Sequence, residues 1–209
     1  MKSRWSWLLA LALILAASGC SVMLYPLARA FGGPAESDLV VYRRTFADLK
    51  KTAREKRLVV LPAWVVSGTA HDWDAEAARP ALDRLHVDLS ASAAPASVKP
   101  DLPFDPYHGN QMRHMWARAR RYTDWVRRTR PEGDWFVMTE MWCDSSRTKL
   151  YGTFFYVVRA DGQIAYARLY NSHSFGPNTV GTIFDAMAKG FVDALGKDPE
   201  YVFPPYGVG

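Results

Sequence analysis

Between Met112 and Tyr170 the spacing of the apolar residues changes once, at Gly133, and this switch constrains the fold more than any other feature of the chain. Before it, Met112, Met115, Trp116, Ala119, Tyr122, Thr123 and Val126 recur at three- and four-residue steps. That spacing lines one side of a helix from Met112 to Thr129. After it, Trp135–Trp142, Leu150–Val158 and Ile164–Tyr170 are rich in the aromatic and β-branched residues that suit strands. Asp144-Ser145-Ser146-Arg147 separates the first two runs and Ala160-Asp161-Gly162 the last two, where glycine supplies the positive φ of a tight turn. Three consecutive antiparallel strands are predicted. Their apolar residues fall on both faces, so helices or a partner must cover each side.

Upstream, Tyr42–Lys56 reads as an amphipathic helix with Phe46, Leu49 and Ala53 near one face. Leu58-Val59-Val60-Leu61-Pro62 reads as a short buried strand closed by proline. Asp74 can cap a helix running to about Leu85, limited or kinked by Pro80. Residues 88–110 are Ala-, Ser- and Pro-rich and read as an irregular loop. A final helix is expected from Thr179 or Val180 to Leu195, stopped by Gly196 and followed by an extended tail. The fold class is therefore α+β: an antiparallel meander of about three strands plus one earlier strand, packed with about four helices as an α/β sandwich. Trp135, Val137, Phe154, Tyr156, Ile164, Phe184 and Phe191 are the expected core.

The amino terminus carries a different message. Lys2 and Arg4 precede an apolar stretch from Trp5 to Ala17, and Ala16-Ala17-Ser18-Gly19-Cys20 follows, with no acid before Glu36. A basic head, an apolar segment and small residues at a cut site make an export signal. The small residues ending in cysteine resemble the lipobox of bacterial lipoproteins, with Ala17 where that family more often has leucine. The resemblance implies that residues 1–19 are removed, that Cys20 becomes the acylated first residue, and that 20–36 is a tether to one globular domain, 37–209. Ser21, rather than an aspartate, follows the cysteine, which in that family points to the outer membrane facing the periplasm. An uncleaved membrane helix over the uncharged residues 5–27 would leave the domain on the same side of the membrane. Lipidation of Cys20 leaves Cys143 without an intramolecular partner, and it reads as a packing residue.

The net charge of +5 falls to +3 when Lys2 and Arg4 are removed. Residues 43–57 hold seven Lys or Arg against two acids, and 112–130 hold seven Arg against Asp124, so the rest of the mature chain sums to −8. On the wheel of the 112–129 helix Arg113, Arg120, Arg121, Arg127 and Arg128 fall on one side, roughly 60–180° from Met112, away from the apolar face. This is a candidate surface for an anionic partner or anionic lipid; export argues against nucleic acid. His71, Asp72 and Asp74 form a weaker polar cluster that His108, His114 or His173 could join, yet no spacing there is that of a metal site. Asn171-Ser172-His173-Ser174 places a serine beside a histidine, but neighbours on an extended chain point to opposite sides. No cofactor motif is present in the sequence.

Strand after basic helix, then a meander with an Asp-Gly turn, distantly resembles the soluble domains of envelope lipoproteins such as the penicillin-binding-protein activator LpoB, the curli secretion lipoprotein CsgG and the amino-terminal domain of TolB. The resemblance is one of architecture and carries over no site residue. Three functions are compatible with these features: a non-enzymatic lipid-anchored envelope protein in partner binding or assembly, a lipid- or glycolipid-handling accessory protein with an apolar groove, and a hydrolase or metal-dependent enzyme built on His71–Asp74.

Overall fold

The computed structural model describes residues 36–89, 93–96, 98–103, 110–170 and 182–202. Cys20, the segment expected to direct export, His108, His173 and most of the tail lie outside them. In chain order the elements are α1 (Glu36–Thr52), β1 (Leu58–Val60), β2 (Ala63–Ser67), β3 (Ala70–Asp74), α2 (Ala75–Leu89), β4 (Ala93–Pro95), α3 (Gln111–Thr129), β5 (Trp135–Cys143), β6 (Leu150–Arg159), β7 (Ile164–Tyr170), α4 (Ile183–Leu195) and the single turn α5 (Pro199–Val202). The fold is α+β, as expected, around one seven-stranded mixed sheet.

β5 is the spine of that sheet. All nine of its residues are buried. On one side it pairs antiparallel with β6, and β6 with β7, which is the predicted meander. On the other side it pairs in parallel with β1 through Trp135–Val137 and with β2 through Glu140–Cys143. β1 and β2 thus act as one long strand interrupted at Leu61-Pro62, where Leu61 N–H still donates to the Val137 carbonyl at 2.9 Å. Pro62 has no N–H to give a ladder, so the break falls there.

Three strands appear where loops were expected, the first being β2, in the stretch that reads as the loop after Pro62. β3 folds back on β2 through the two-residue turn Gly68-Thr69, with Gly68 at φ +63°. β4, inside the stretch read as irregular, pairs in parallel with β1. Neither looks like a strand: β3 is Ala-His-Asp-Trp-Asp and β4 is Ala-Ala-Pro. Their neighbours supply the pairing that their own residue preferences do not. Helix α2 also runs past its expected end to Leu89 in spite of Pro80. The lost bond would have reached back to Glu76 in the first turn, and burial of Ala78, Ala81, Leu85 and Leu89 outweighs it. Asp74 caps the helix as expected, its Oδ1 accepting from Ala77 N–H at 2.9 Å.

Alternation along the strands divides the interior into two cores. Trp135, Val137, Met141, Phe155 and Val157 face α2 and α4, joined by Phe184 and Phe191. Phe136, Met138, Trp142, Phe154, Tyr156 and Val158 face α3, meeting Met115, Trp116, Ala119, Tyr122 and Val126. Both faces of the meander are thus covered by helices. α1 lies along β7, where its Thr45 hydroxyl donates to Gln163 Oε1 at 3.0 Å. Its Tyr42 stacks on Trp116 of α3 at 5.0 Å, so α1 touches both cores and covers the β7 edge. Among the described residues no helix is long and apolar enough to cross a membrane.

Every residue named as core from sequence is buried, including Phe154 at 0% exposure. Truncating a buried phenylalanine costs ~3–5 kcal/mol. Phe154→Ala is therefore expected to lower the melting temperature by roughly 6–20 °C for a domain of this size. Calorimetry or thermal circular dichroism checks it; an unchanged transition would mean that the α3-side core is not packed as described.

Candidate functional site

The chemistry held most tightly lies between β5 and α3. Asn110 caps α3, its side chain accepting from Arg113 N–H at 3.0 Å, and Arg130 closes the helix at φ +47° with its N–H on the Val126 carbonyl. His114, Arg118 and Tyr122 follow one another at four-residue steps, so they form a stripe along one side. Opposite that stripe is Glu140, at 0% exposure in the middle of β5. Its Oε1 accepts from Trp142 Nε1 at 2.6 Å and meets His114 Nε2 at 3.0 Å. Its Oε2 accepts from Arg118 Nε at 2.9 Å and, at the long distance of 3.5 Å, from the Tyr122 hydroxyl.

The electrostatics follow from this geometry. Burial pushes the Glu140 carboxyl up, but Arg118, aided by the His114 and Trp142 hydrogen bonds, outweighs it and holds the group below the usual range. Glu140 is therefore ionised. An ionised carboxylate can only accept, so His114 Nε2 carries the proton. Burial opposes the charge on Arg118, but Glu140 restores it, and the guanidinium also lies 5.5 Å from the Trp64 ring and 5.4 Å from that of Tyr122. Burial pushes the Tyr122 and Tyr156 hydroxyls well up, so both stay protonated. Arg118 Nη2 and the Tyr156 hydroxyl are buried without a hydrogen-bond partner among the described residues. The cluster is a closed ion-pair network: the Glu140 carboxylate is engaged by four side chains, His114, Arg118, Tyr122 and Trp142, all shielded from water.

The described residues expected to form a polar cluster, His71, Asp72 and Asp74, lie along one strand, the edge strand β3, rather than in a loop. His71 and Trp73 turn toward Trp64, at 5.1 and 4.9 Å between ring centres, and alternation sends Asp72 and Asp74 the other way. Asp72 accepts from the Trp73 N–H at 2.7 Å, while Asp74 caps α2 and meets Arg147 at 3.4 Å. His71, Trp73 and both aspartates nevertheless border one open cleft of about 500 Å³, with Val65, Ser67, Glu76 and Arg147. Among the described residues no three His, Cys, Asp or Glu side chains are placed to hold a metal. His114 does not join His71; it belongs to the Glu140 network. Cys143 is buried, its thiol donating to the Val66 carbonyl at 3.4 Å, and burial pushes its pKa up, away from nucleophilic use. His173 lies outside the described residues.

The arginine face of α3 is only partly used by the domain itself. Arg113, Arg120, Arg127 and Arg128 are exposed and Arg121 is half-buried. Arg127 is engaged, donating to the Asp161 carbonyl at 3.2 Å and pairing with Asp124 at 3.5 Å. Arg113, Arg120 and Arg128 form no ion pair among the described residues. Arg118, in the same basic run, is the one the wheel did not single out, and it turns inward. Two signals pointed to it: the four-residue step through His114 and Tyr122, and a lone glutamate inside an otherwise apolar strand.

Removing one partner of a buried ion pair leaves an uncompensated charge, which costs ~3–5 kcal/mol, whereas replacing both by apolar groups is often near neutral. Arg118→Leu is therefore expected to lower unfolding free energy by that amount, and Arg118→Leu with Glu140→Leu to recover most of it, as read by urea denaturation. The pH dependence has a definite sign. Because the folded Glu140 titrates below its unfolded value near ~4.3, its stabilisation is full above that pH and is lost as pH falls through the folded value. Glu140→Gln should flatten this acid limb. No family model, curated protein or solved structure matches the chain, so what the domain does has to be read from its own geometry.

Proposed function

We propose that this chain is a lipid-anchored cell-envelope protein, exported and held through an acylated Cys20, whose domain is a non-enzymatic docking module acting through the outer face of α3. The observation that carries the docking role is the set Arg113, Arg120 and Arg128: exposed guanidiniums that pair with no carboxylate among the described residues, on a helix whose inner face is fixed by the Glu140 network. Several arginines elsewhere in the domain have carboxylate partners. Arg57 meets Glu132, Arg84 meets Asp185 at 2.8 Å and Arg159 meets Asp48 and Asp161 at 3.1 and 2.6 Å. A cationic row that the fold leaves unneutralised suits an anionic partner.

The other readings draw less support. A groove for lipid or glycolipid would need the aromatic sheet to be open, yet Phe154, Tyr156 and Trp142 are covered by α3. An enzyme on His71–Asp74 would use the open cleft these residues border, but Asp74 is already engaged by the α2 cap and by Arg147.

Two measurements test the proposal. Mass spectrometry of the mature chain should find Cys20 at the amino terminus carrying acyl groups, and Cys20→Ala should leave an unprocessed precursor; an unmodified Cys20 would remove the anchor. The detergent-solubilised lipoprotein should bind a phosphate-bearing cation-exchange matrix and elute with salt. Each basic residue near an anionic surface contributes ~1 kcal/mol, so Arg113→Glu, Arg120→Glu and Arg128→Glu together should shift elution to much lower salt. Unchanged elution would sink the docking role.

A further inference from the structure

We infer that the α3 face lies flat against the phosphate headgroups of the bilayer that holds the Cys20 anchor. The inference rests on the reading above and names the partner of that same face.

The first support is shape. Arg113, Arg120 and Arg127 recur every seven residues, about 10 Å apart along the helix axis, and Arg121 and Arg128 form a parallel row. Five guanidiniums in two straight rows on a helix of about 28 Å describe a plane rather than a pocket. Asp124 is the one acid among them, which leaves +4 on this face. The Glu140 clamp prevents the helix from rolling without breaking a buried ion pair, so the rows are presented as a rigid array.

The second support is charge across the domain. α2 carries Glu76, Asp83 and Asp88 against Arg79 and Arg84, and α4 carries Asp185 and Asp193 against Lys189, a net −1 each. Both pack on the sheet face opposite α3, together with α1, whose four Lys or Arg against three acids add +1 and bring the three helices to −1. An anionic plane attracts the +4 face of α3 more strongly than this far side, which favours one orientation.

The third support is where the anchor joins. Tyr42 of α1 stacks on Trp116 and lies close enough to Arg120 for the guanidinium to counteract part of the rise in its hydroxyl pKa, otherwise driven by burial and Asp38. Glu36, the start of α1, is about 9 Å along the helix from Tyr42. The sixteen residues from 20 to 35 can span at most about 55 Å, so the anchor holds this end of α1 near the membrane at high effective concentration.

The test uses the full lipidated chain in vesicles. With Cys20 acylated and Cys143 buried, Ala117→Cys, between the two arginine rows, offers one reactive thiol for a fluorophore. In phosphatidylcholine vesicles containing phosphatidylglycerol, headgroup-bound quencher should quench the label strongly at low salt. The quenching should drop to the level seen in pure phosphatidylcholine when salt is raised or when Arg113, Arg120 and Arg128 are changed to Glu. Equal quenching in both lipids, or quenching unmoved by the triple change, overturns the inference. Row-dependent binding to the phosphate matrix without approach to the anionic bilayer also overturns it, while leaving the docking role intact and pointing to an acidic protein. An unacylated Cys20 would fail the anchoring step before either result is read. Unchanged far-ultraviolet circular dichroism of the triple variant, expected because these side chains are exposed, keeps the comparison clean.

Discussion

The Glu140 carboxylate is the point on which the α3 side of the molecule depends. It lies in the centre of the central strand, and the guanidinium that neutralises it, Arg118, and the imidazole that bonds it, His114, both come from α3. An apolar helix face can slide over an apolar sheet with little penalty, because dispersion and burial are not directional. A buried charge cannot, since a shift of one turn would strand both the acid and the guanidinium without partners. The pair therefore sets the rotation and register of α3, and with them the direction in which its outer arginines point.

The same strand organises the sheet. β5 is bonded along both edges, to β6 on one side and to β1 and β2 on the other, so it is shielded on all sides and can hold a charge in dry surroundings. Parallel pairing with β1 and β2 requires crossover connections, and these place α2 and α3 on opposite faces. The β7 edge, where an open strand would invite pairing with other chains, is lined by α1. Tyr42 then ties α1 to α3 across that edge.

Charge on the surface is distributed unevenly for a reason visible in the fold. Carboxylates that neutralise arginines lie on α1, α4 and the turns, where Asp48, Asp185 and Asp161 meet Arg159 and Arg84. Exposed pairs of this kind contribute only ~0–1 kcal/mol each, so they are weak evidence about stability. Their value is as a contrast with α3, whose only exposed acid, Asp124, is already taken by Arg127.

The sequence by itself determined the elements whose periodicity is strong: α3, the three meander strands, the Asp161-Gly162 turn and the core aromatics on both faces. Those signals are local, set by which side chains recur at two or at 3.6 residues. The wheel of α3 also separated its exposed arginines from its packed face. Tertiary structure alone decided the rest. β3 and β4 exist because β2 and β1 offer them bonding edges, and α2 passes Pro80 because a core waits beyond it. Whether an arginine is a surface charge or a buried anchor depends on what lies opposite, and Glu140 is 22 residues from Arg118 along the chain. His71 and His114 were alike as isolated histidines in sequence; only the sheet places one at an exposed edge and the other against a buried carboxylate.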